Sequence, residues 1–345
     1  QTSARALSAT MMVPLWQAIA VDDVHGLERA LRLGAEVDYR GAGGLTPLLA
    51  AAERGALPTA ALLLHHRASV NTADDRGRTP LMLAARSARS TNGELVAALL
   101  EAHASPHAAD NTGRTALHEG AACGHEAVVA LLLARGATCD APTQRGVTPL
   151  AAAAAGGNDG ALLALLRAGA SHGPDADGAT PVHVASAGLH ATSVALLLSA
   201  GGTAASATHD GSTPLLAALL AARGVPARTT SEEAVVDKVT GLAAELLRSA
   251  PSTAARRRAD GTTPLQLARA LAAPRLLELL QDLSDCGGGG MRYAANYDEN
   301  DEDGPSSRTS QNSGSAHPPA LEASAVERGP AARGVGGGRC WVDRV

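Results

Sequence analysis

The triplet Thr46-Pro47-Leu48 returns at Thr79-Pro80-Leu81, Thr115-Ala116-Leu117, Thr148-Pro149-Leu150, Thr180-Pro181-Val182, Thr213-Pro214-Leu215 and Thr263-Pro264-Leu265, at steps of 33, 36, 33, 32, 33 and 50 residues. A unit this short cannot bury an apolar face alone, so a sequence repeating at this period has to stack its copies into a solenoid. Each part of the unit has a physical task. The Thr hydroxyl accepts from free amides at a helix start, and Pro occupies the first helical position, where no amide hydrogen is needed. A short Ala-rich helix follows, as at Leu48 to Arg54, and ends near Gly55. A second helix carries a Leu stripe, as at Val128, Leu131, Leu132 and Leu133, and stops at Gly136-Ala137, where Gly takes the left-handed cap. A polar turn such as Asp110-Asn111-Thr112-Gly113 then leads to the next Thr.

The pattern closely resembles the ankyrin repeat, with Thr115-Ala116-Leu117-His118 and Thr180-Pro181-Val182-His183 matching the family's Thr-Pro-Leu-His signature best. Upstream, Leu15-Trp16-Gln17-Ala18-Ile19-Ala20 and Leu27 to Leu33 read as a first repeat without its Thr-Pro. The resemblance implies an all-α solenoid of helix-turn-helix pairs with β-hairpin or loop fingers. Eight repeats are expected over 13–285, near 13–43, 44–76, 77–112, 113–145, 146–177, 178–210, 211–260 and 261–285, with an insertion at 223–238. Residues 1–12 read as a disordered leader and 286–345, rich in Gly, Ser and acid, as a disordered tail. Leu49, Met82, Ala151, Leu216 and Gln266 replace the signature His, which removes its hydrogen bond. Arg67, His103 and Ser249 replace the capping Gly, and a non-Gly residue held left-handed costs on the order of 1 kcal/mol. Three extra residues fall around Arg86 to Gly93 and 17 from Arg223 to Lys238, where Thr230-Ser231-Glu232-Glu233 has capping-box form.

Composition narrows the function classes. Aromatics are 1% of the chain and Phe is absent, so Leu, Ala and Val fill the core, against the bulky cross-strand pairs of an all-β fold. No apolar run approaches the length of a membrane span. The net charge of −5 resides in Asp298, Glu299, Asp301, Glu302 and Asp303, so no global basic face exists for nucleic acid. Lys238 is the single lysine and Ile19 the single isoleucine, a codon-bias pattern from which no guanidinium chemistry is drawn. Cys123, Cys139, Cys286 and Cys340 form no Cys-x-x-Cys pair, which favours a reducing compartment. A cytoplasmic monomer is expected, with nuclear residence the alternative if Arg256-Arg257-Arg258 directs import.

Catalytic chemistry has no foothold in the sequence. There is no phosphate loop, nucleophile elbow or His-Glu-x-x-His, and no cofactor or metal is expected. His103 and His107 have ligand spacing, but Pro106 breaks the helix between them. His118, His125 and His183 sit where the family places structural histidines. Glu299, Asp301 and Asp303 begin like a calcium loop, yet Ser310 stands where its closing Glu is needed. Asp343-Arg344-Val345 has the form of a ligand for PDZ domains.

The function the resemblance implies is a non-catalytic scaffold that binds a partner protein through a concave groove and its fingertips. A targeting module of a larger enzyme, channel or ubiquitin-ligase receptor, and a nuclear adaptor, are the alternatives. The tips that would carry contacts are Tyr39 and Arg40; Asp74, Asp75 and Arg76; Asp110 and Asn111; Gln144 and Arg145; Asp175 and Asp177; His209 and Asp210; and Arg258 and Asp260. Several of these Asp residues also suit the turn itself. Ala151 to Ala155 and Ala217 to Leu220 suggest a smooth, weakly apolar floor in repeats five to seven, where Glu53, Arg86 and Glu119 offer charge in earlier repeats.

Overall fold

A computed structural model describes residues 14–87, 92–224 and 232–285. The expected leader, the expected tail with its acidic run and C-terminal motif, and the capping-box residues Thr230 and Ser231 lie outside them.

The described residues form sixteen α-helices in eight antiparallel pairs. The inner helices are α1 (residues 14–21), α3 (Pro47–Arg54), α5 (Pro80–Arg86), α7 (Ala116–Cys123), α9 (Pro149–Gly156), α11 (Pro181–Ala187), α13 (Pro214–Gly224) and α15 (Pro264–Ala270). Their outer partners are α2 (Val24–Arg32), α4 (Leu57–His65), α6 (Asn92–Glu101), α8 (Glu126–Ala134), α10 (Asp159–Arg167), α12 (Ala191–Ser199), α14 (Glu232–Ser249) and α16 (Pro274–Asp285). From α3 onward each inner helix packs on the next and each outer helix on the next, so one continuous apolar core runs between the two layers. Leu48, Leu81, Leu117, Leu150, Val182 and Leu215 all stand two residues after the capping Thr and are all buried to within 1%. Small residues let the inner helices stack closely, as at Ala51, Ala84 and Ala153, each fully buried.

The caps form as the sequence dictates. Thr46, Thr79, Thr148, Thr213 and Thr263 accept from the amide three residues on at 3.3 to 3.5 Å. His118 and His183 add a second bond: the Thr115 and Thr180 amides donate to their Nδ1 atoms at 3.1 and 3.2 Å. Gln266 departs from the expectation that this bond is lost outside the His repeats. Its Oε1 accepts from the Thr263 amide at 3.0 Å, because a Gln carbonyl reaches the same point as Nδ1.

The ends of the outer helices follow the Gly expectation in part. Arg67 and His103 are held left-handed at φ 59° and 65°. Ser249 is not: α14 runs through it and the chain leaves by a 3-10 turn at Pro251–Ala255, so no left-handed residue is required there. The described ends of the insertion are helical. α13 has 11 residues and α14 has 18, against 7 to 10 in the neighbouring helices α11, α12 and α15 and in α3 to α10.

Candidate functional site

Seven tight fingers precede α3, α5, α7, α9, α11, α13 and α15, at residues 41–45, 74–78, 110–114, 143–147, 175–179, 208–212 and 258–262. Each is closed by one bond from its first amide to its fifth carbonyl, for example Asp110 to Arg114 at 2.8 Å. Hairpin strands are not formed among the described residues; a single bridge joins Ala109 and Thr115. The reason is that the fingers bond sideways. The second amide of each donates to the preceding finger's carbonyl: Asp75 to Gly43, Asn111 to Arg76, Gln144 to Thr112, Ala176 to Arg145, His209 to Asp177 and Ala259 to Asp210, all at 2.8 to 3.0 Å. The last rung closes across the long insertion, so the added residues leave the finger row in register. Gly113 shows what this stacking demands. At φ 86° a Cβ there would sit 2.9 Å from the Gln144 amide nitrogen.

This arrangement sorts the expected contact residues by role. Asp74, Asp110 and Asp175 hold their own turns: Asp74 accepts from the Arg76 and Arg78 amides, Asp110 from Thr112 and Arg114, and Asp175 from Asp177 and Ala179, at 2.8 to 3.0 Å. Asp74 is buried and also receives the Arg78 guanidinium at 2.7 Å. Asn111 and Gln144 stitch neighbouring fingers, donating to the Asp75 and Asn111 carbonyls at 3.0 and 2.7 Å. Arg40 donates to the Ala73 carbonyl at 2.6 Å. Tyr39 is half-buried against the core, which makes it a packing residue of the first repeat.

The remaining residues present charge outward. Asp75, Arg76, Arg145, Asp177, His209 and Asp260 are exposed. Arg145 and Asp177 pair at 3.2 Å with about two thirds of each side chain in solvent. Arg258 lies between Asp210 at 2.6 Å and Asp260 at 3.3 Å. The Thr208 hydroxyl and then Arg258 hold the Asp210 carboxyl down at about 2. Hydrogen bonds from Thr262 lower Asp260 below the ordinary carboxylate range. Of the Arg256 to Arg258 triplet, Arg258 is therefore engaged between the last two fingers, while Arg256 and Arg257 are exposed.

Two adjoining concavities open between fingers and inner helices. One of about 660 Å³ is lined by Leu45, Glu53, Asp74, Asp75, Arg76, Arg78, Leu83 and Arg86 among others. The other, about 440 Å³, is lined by Trp16, Ile19, Ala20, Leu45, Ala50, Glu53 and Arg54. Trp16 is the contact candidate that sequence reasoning passed over. Its signal was the spacing of Trp16, Ile19 and Ala20 on one turn of α1, but only folding shows that this turn faces the groove.

After Thr46 and Thr79 the concavities are lined by the fourth and seventh residues, Ala50, Glu53, Leu83 and Arg86, and the repeat carries these positions along the solenoid. In the fourth-residue row stand Ala50, Leu83, Glu119, Ala152, Val184, Ala217 and Leu267; in the seventh, Glu53, Arg86, Ala122, Ala155, Ala187, Leu220 and Ala270. The expected floor needs correcting in its members. Ala151 to Ala154, Ala218 and Leu219 are buried between helices, since the inner helices of successive repeats lie against both flanks of each other. The accessible part is Ala155, Val184, Ala187, Ala217 and Leu220. Glu119 is also buried, taking the Arg114 Nε at 2.6 Å.

Two of the three expected structural histidines are satisfied at the opposite ring edge too, whereas the buried Nε2 of His125 has no hydrogen-bond partner among the described residues. His118 and His183 place Nε2 at 3.0 and 3.1 Å from the Val147 and Ser212 carbonyls. Burial drives the His118 pKa down to about 4 and lowers that of His183. Among the described residues no group of three or more His, Cys, Asp or Glu has the arrangement of a metal site. No helix among them is long and apolar enough to cross a membrane.

The family model described as ankyrin repeats (3 copies) matches residues 15–108 and 86–174. Residues 15–174 are ankyrin repeats. Ankyrin repeats are in general protein-protein interaction modules, typically without catalytic activity. The pairs from α11 to α16 continue the same cap, finger and stacking geometry beyond the matched residues.

Proposed function

We propose that this ankyrin repeat protein is a non-catalytic scaffold or adaptor that binds a partner protein across its concave face, with the exposed fingertips as the charged rim. The observation that carries this reading is the division of labour within the fingers. One set of polar side chains is consumed by turns and stitches, while Asp75, Arg76, Arg145, Asp177 and His209 face solvent in a row fixed by backbone bonds. A row held this way is preorganised, so a partner meets it at little entropic cost.

The test exploits one geometric fact. Arg145 and Asp177 touch each other, so reversing both in Arg145→Glu/Asp177→Arg keeps their mutual attraction and the fold while inverting what a partner meets. Capture from source-cell extract with the full chain, followed by affinity measurement on the recovered partner, should show at least several-fold weaker binding by the double variant. Equal affinity would remove the fingertips from the interface.

A further inference from the structure

The two concavities meet at Glu53, which lines both, is exposed, and enters no ion pair among the described residues. Their linings differ. The larger is walled mainly by charge, whereas the smaller is a furrow between α1 and α3 with Trp16, Ile19, Ala20, Leu45 and Ala50 along it. Trp16 and Leu45 stand at its finger end, and Glu53 and Arg54 on the last turn of α3 at the other. With 8 residues, α3 gives the furrow a wall of about 12 Å. The indole is held in place: it packs on the core, and a Cβ on Gly41 would lie 3.2 Å from its ring, so the Gly41 backbone supports it from the finger. Apolar walls that lead to a charged end suit a side chain with an apolar stem and a charged head.

The head it suits has a sign. At the far end of the furrow Glu53, together with Asp22 and Asp23 on the turn that follows α1, sets three carboxylates against Arg54. Asp22 accepts from the Thr59 hydroxyl and Asp23 from the Gly26 amide, but both charges remain. The last turns of α1 and α3 lie at the same end, with the negative ends of their dipoles. Across Glu53 the larger concavity sets Asp74 and Asp75 against Arg76, Arg78 and Arg86, one positive charge in excess, so it does not compete for a cation. The indole face adds its own attraction for positive charge.

We propose that the furrow between α1 and α3 receives a Lys or Arg side chain of the partner protein, with its methylene stem along Trp16, Leu45 and Ala50 and its charged head at Glu53. The inference rests on the interaction role proposed above and names a residue class that the partner must present. Burying the stem removes apolar surface from water, while the indole and the carboxylate each add an attraction that a neutral side chain lacks.

Short synthetic peptides test it. They share one neutral sequence of Gly, Ser and Ala and differ at a single central residue: Arg, citrulline, which keeps the stem without the charge, or Glu. Trp16 and Trp341 are the only tryptophans, so in the full chain carrying Trp341→Phe the one indole N–H resonance belongs to Trp16 and reports on the furrow. The Arg peptide should shift that resonance saturably, the citrulline peptide should bind at least about five-fold more weakly, and the Glu peptide should leave it unmoved. Glu53→Gln should weaken the Arg peptide by about five-fold or more, and so should Ala20→Arg, which sets a cation in the furrow. Asp177→Asn, a carboxylate on a distant finger, should leave its affinity unchanged. All three substituted residues are exposed, and circular dichroism checks that each variant folds.

Equal binding of the citrulline or Glu peptide, indifference to both furrow variants, or a Trp16 resonance that never moves would overturn the proposal. So would a furrow filled by a second copy, seen as self-association that Ala20→Arg abolishes. If extract capture succeeds while the Arg peptide fails, the interaction role stands and this assignment falls. If the Arg peptide binds as expected while the captured partner is indifferent to the fingertip variant, the furrow stands and the fingertip reading falls.

Discussion

The two signature histidines make stability depend on pH in a way that a single substitution isolates. His118 is fully buried, and its Nδ1 accepts from the Thr115 amide, so the ring must be the neutral tautomer with its proton on Nε2, facing the Val147 carbonyl. Protonating Nδ1 would both place a charge in the core and break the cap bond. Burial is the larger cause of the fall to about 4 from 6.5, and each unit of pKa difference is worth about 1.4 kcal/mol, giving about 3 kcal/mol in all. The folded pKa lies below the unfolded one, so the unfolded chain binds the proton more readily. Stability is therefore complete above about pH 6.5 and falls as pH drops from 6.5 towards 4.

His118→Gln is the natural probe, since Gln266 already makes the same cap bond in the eighth repeat. At about pH 7.5 it should cost on the order of 1 to 2 kcal/mol, through the unpartnered Val147 carbonyl. Its acid sensitivity should be smaller than that of the unsubstituted chain by about 3 kcal/mol over the full window, because the titrating ring is gone. Urea unfolding followed by circular dichroism at about pH 7.5, 6.5, 5.5 and 4.5 reads this directly. His183 titrates in both proteins and cancels in the difference. Parallel pH profiles, or an imidazole resonance of His118 titrating near its ordinary value, would refute the argument.

Three other outcomes follow from named contacts. Asp110→Ala should destabilise the chain by about 1 to 3 kcal/mol in a thermal melt, because the Thr112 and Arg114 amides lose their shared acceptor. Arg67→Gly and His103→Gly should each stabilise by on the order of 1 kcal/mol, whereas Ser249→Gly, inside α14, should destabilise by a similar amount. Arg258→Ala should raise the Asp210 carboxyl from about 2, read as the midpoint of its carboxyl carbon resonance; an unmoved midpoint would leave Thr208 and the Ser212 amide as its causes.

The sequence determined by itself whatever depends on residues a few places apart. The Thr cap, the Pro at the first helical position, the Gly turns and the Leu stripe are local, and their recurrence near 33 residues dictates stacked helix pairs. What depends on contact between repeats was decided only by the tertiary structure. Asp110 and Asp177 look alike in sequence, yet one is spent on its turn and the other faces solvent, since Asp110 stands first in its finger while Asp175 takes that place ahead of Asp177. Ala152 and Ala155 likewise belong to the same run, but the next inner helix covers the first and leaves the second accessible. Tyr39, expected at an exposed tip, is half-buried against the core, and Trp16, packed on the same core, also lines a concavity beside the second repeat.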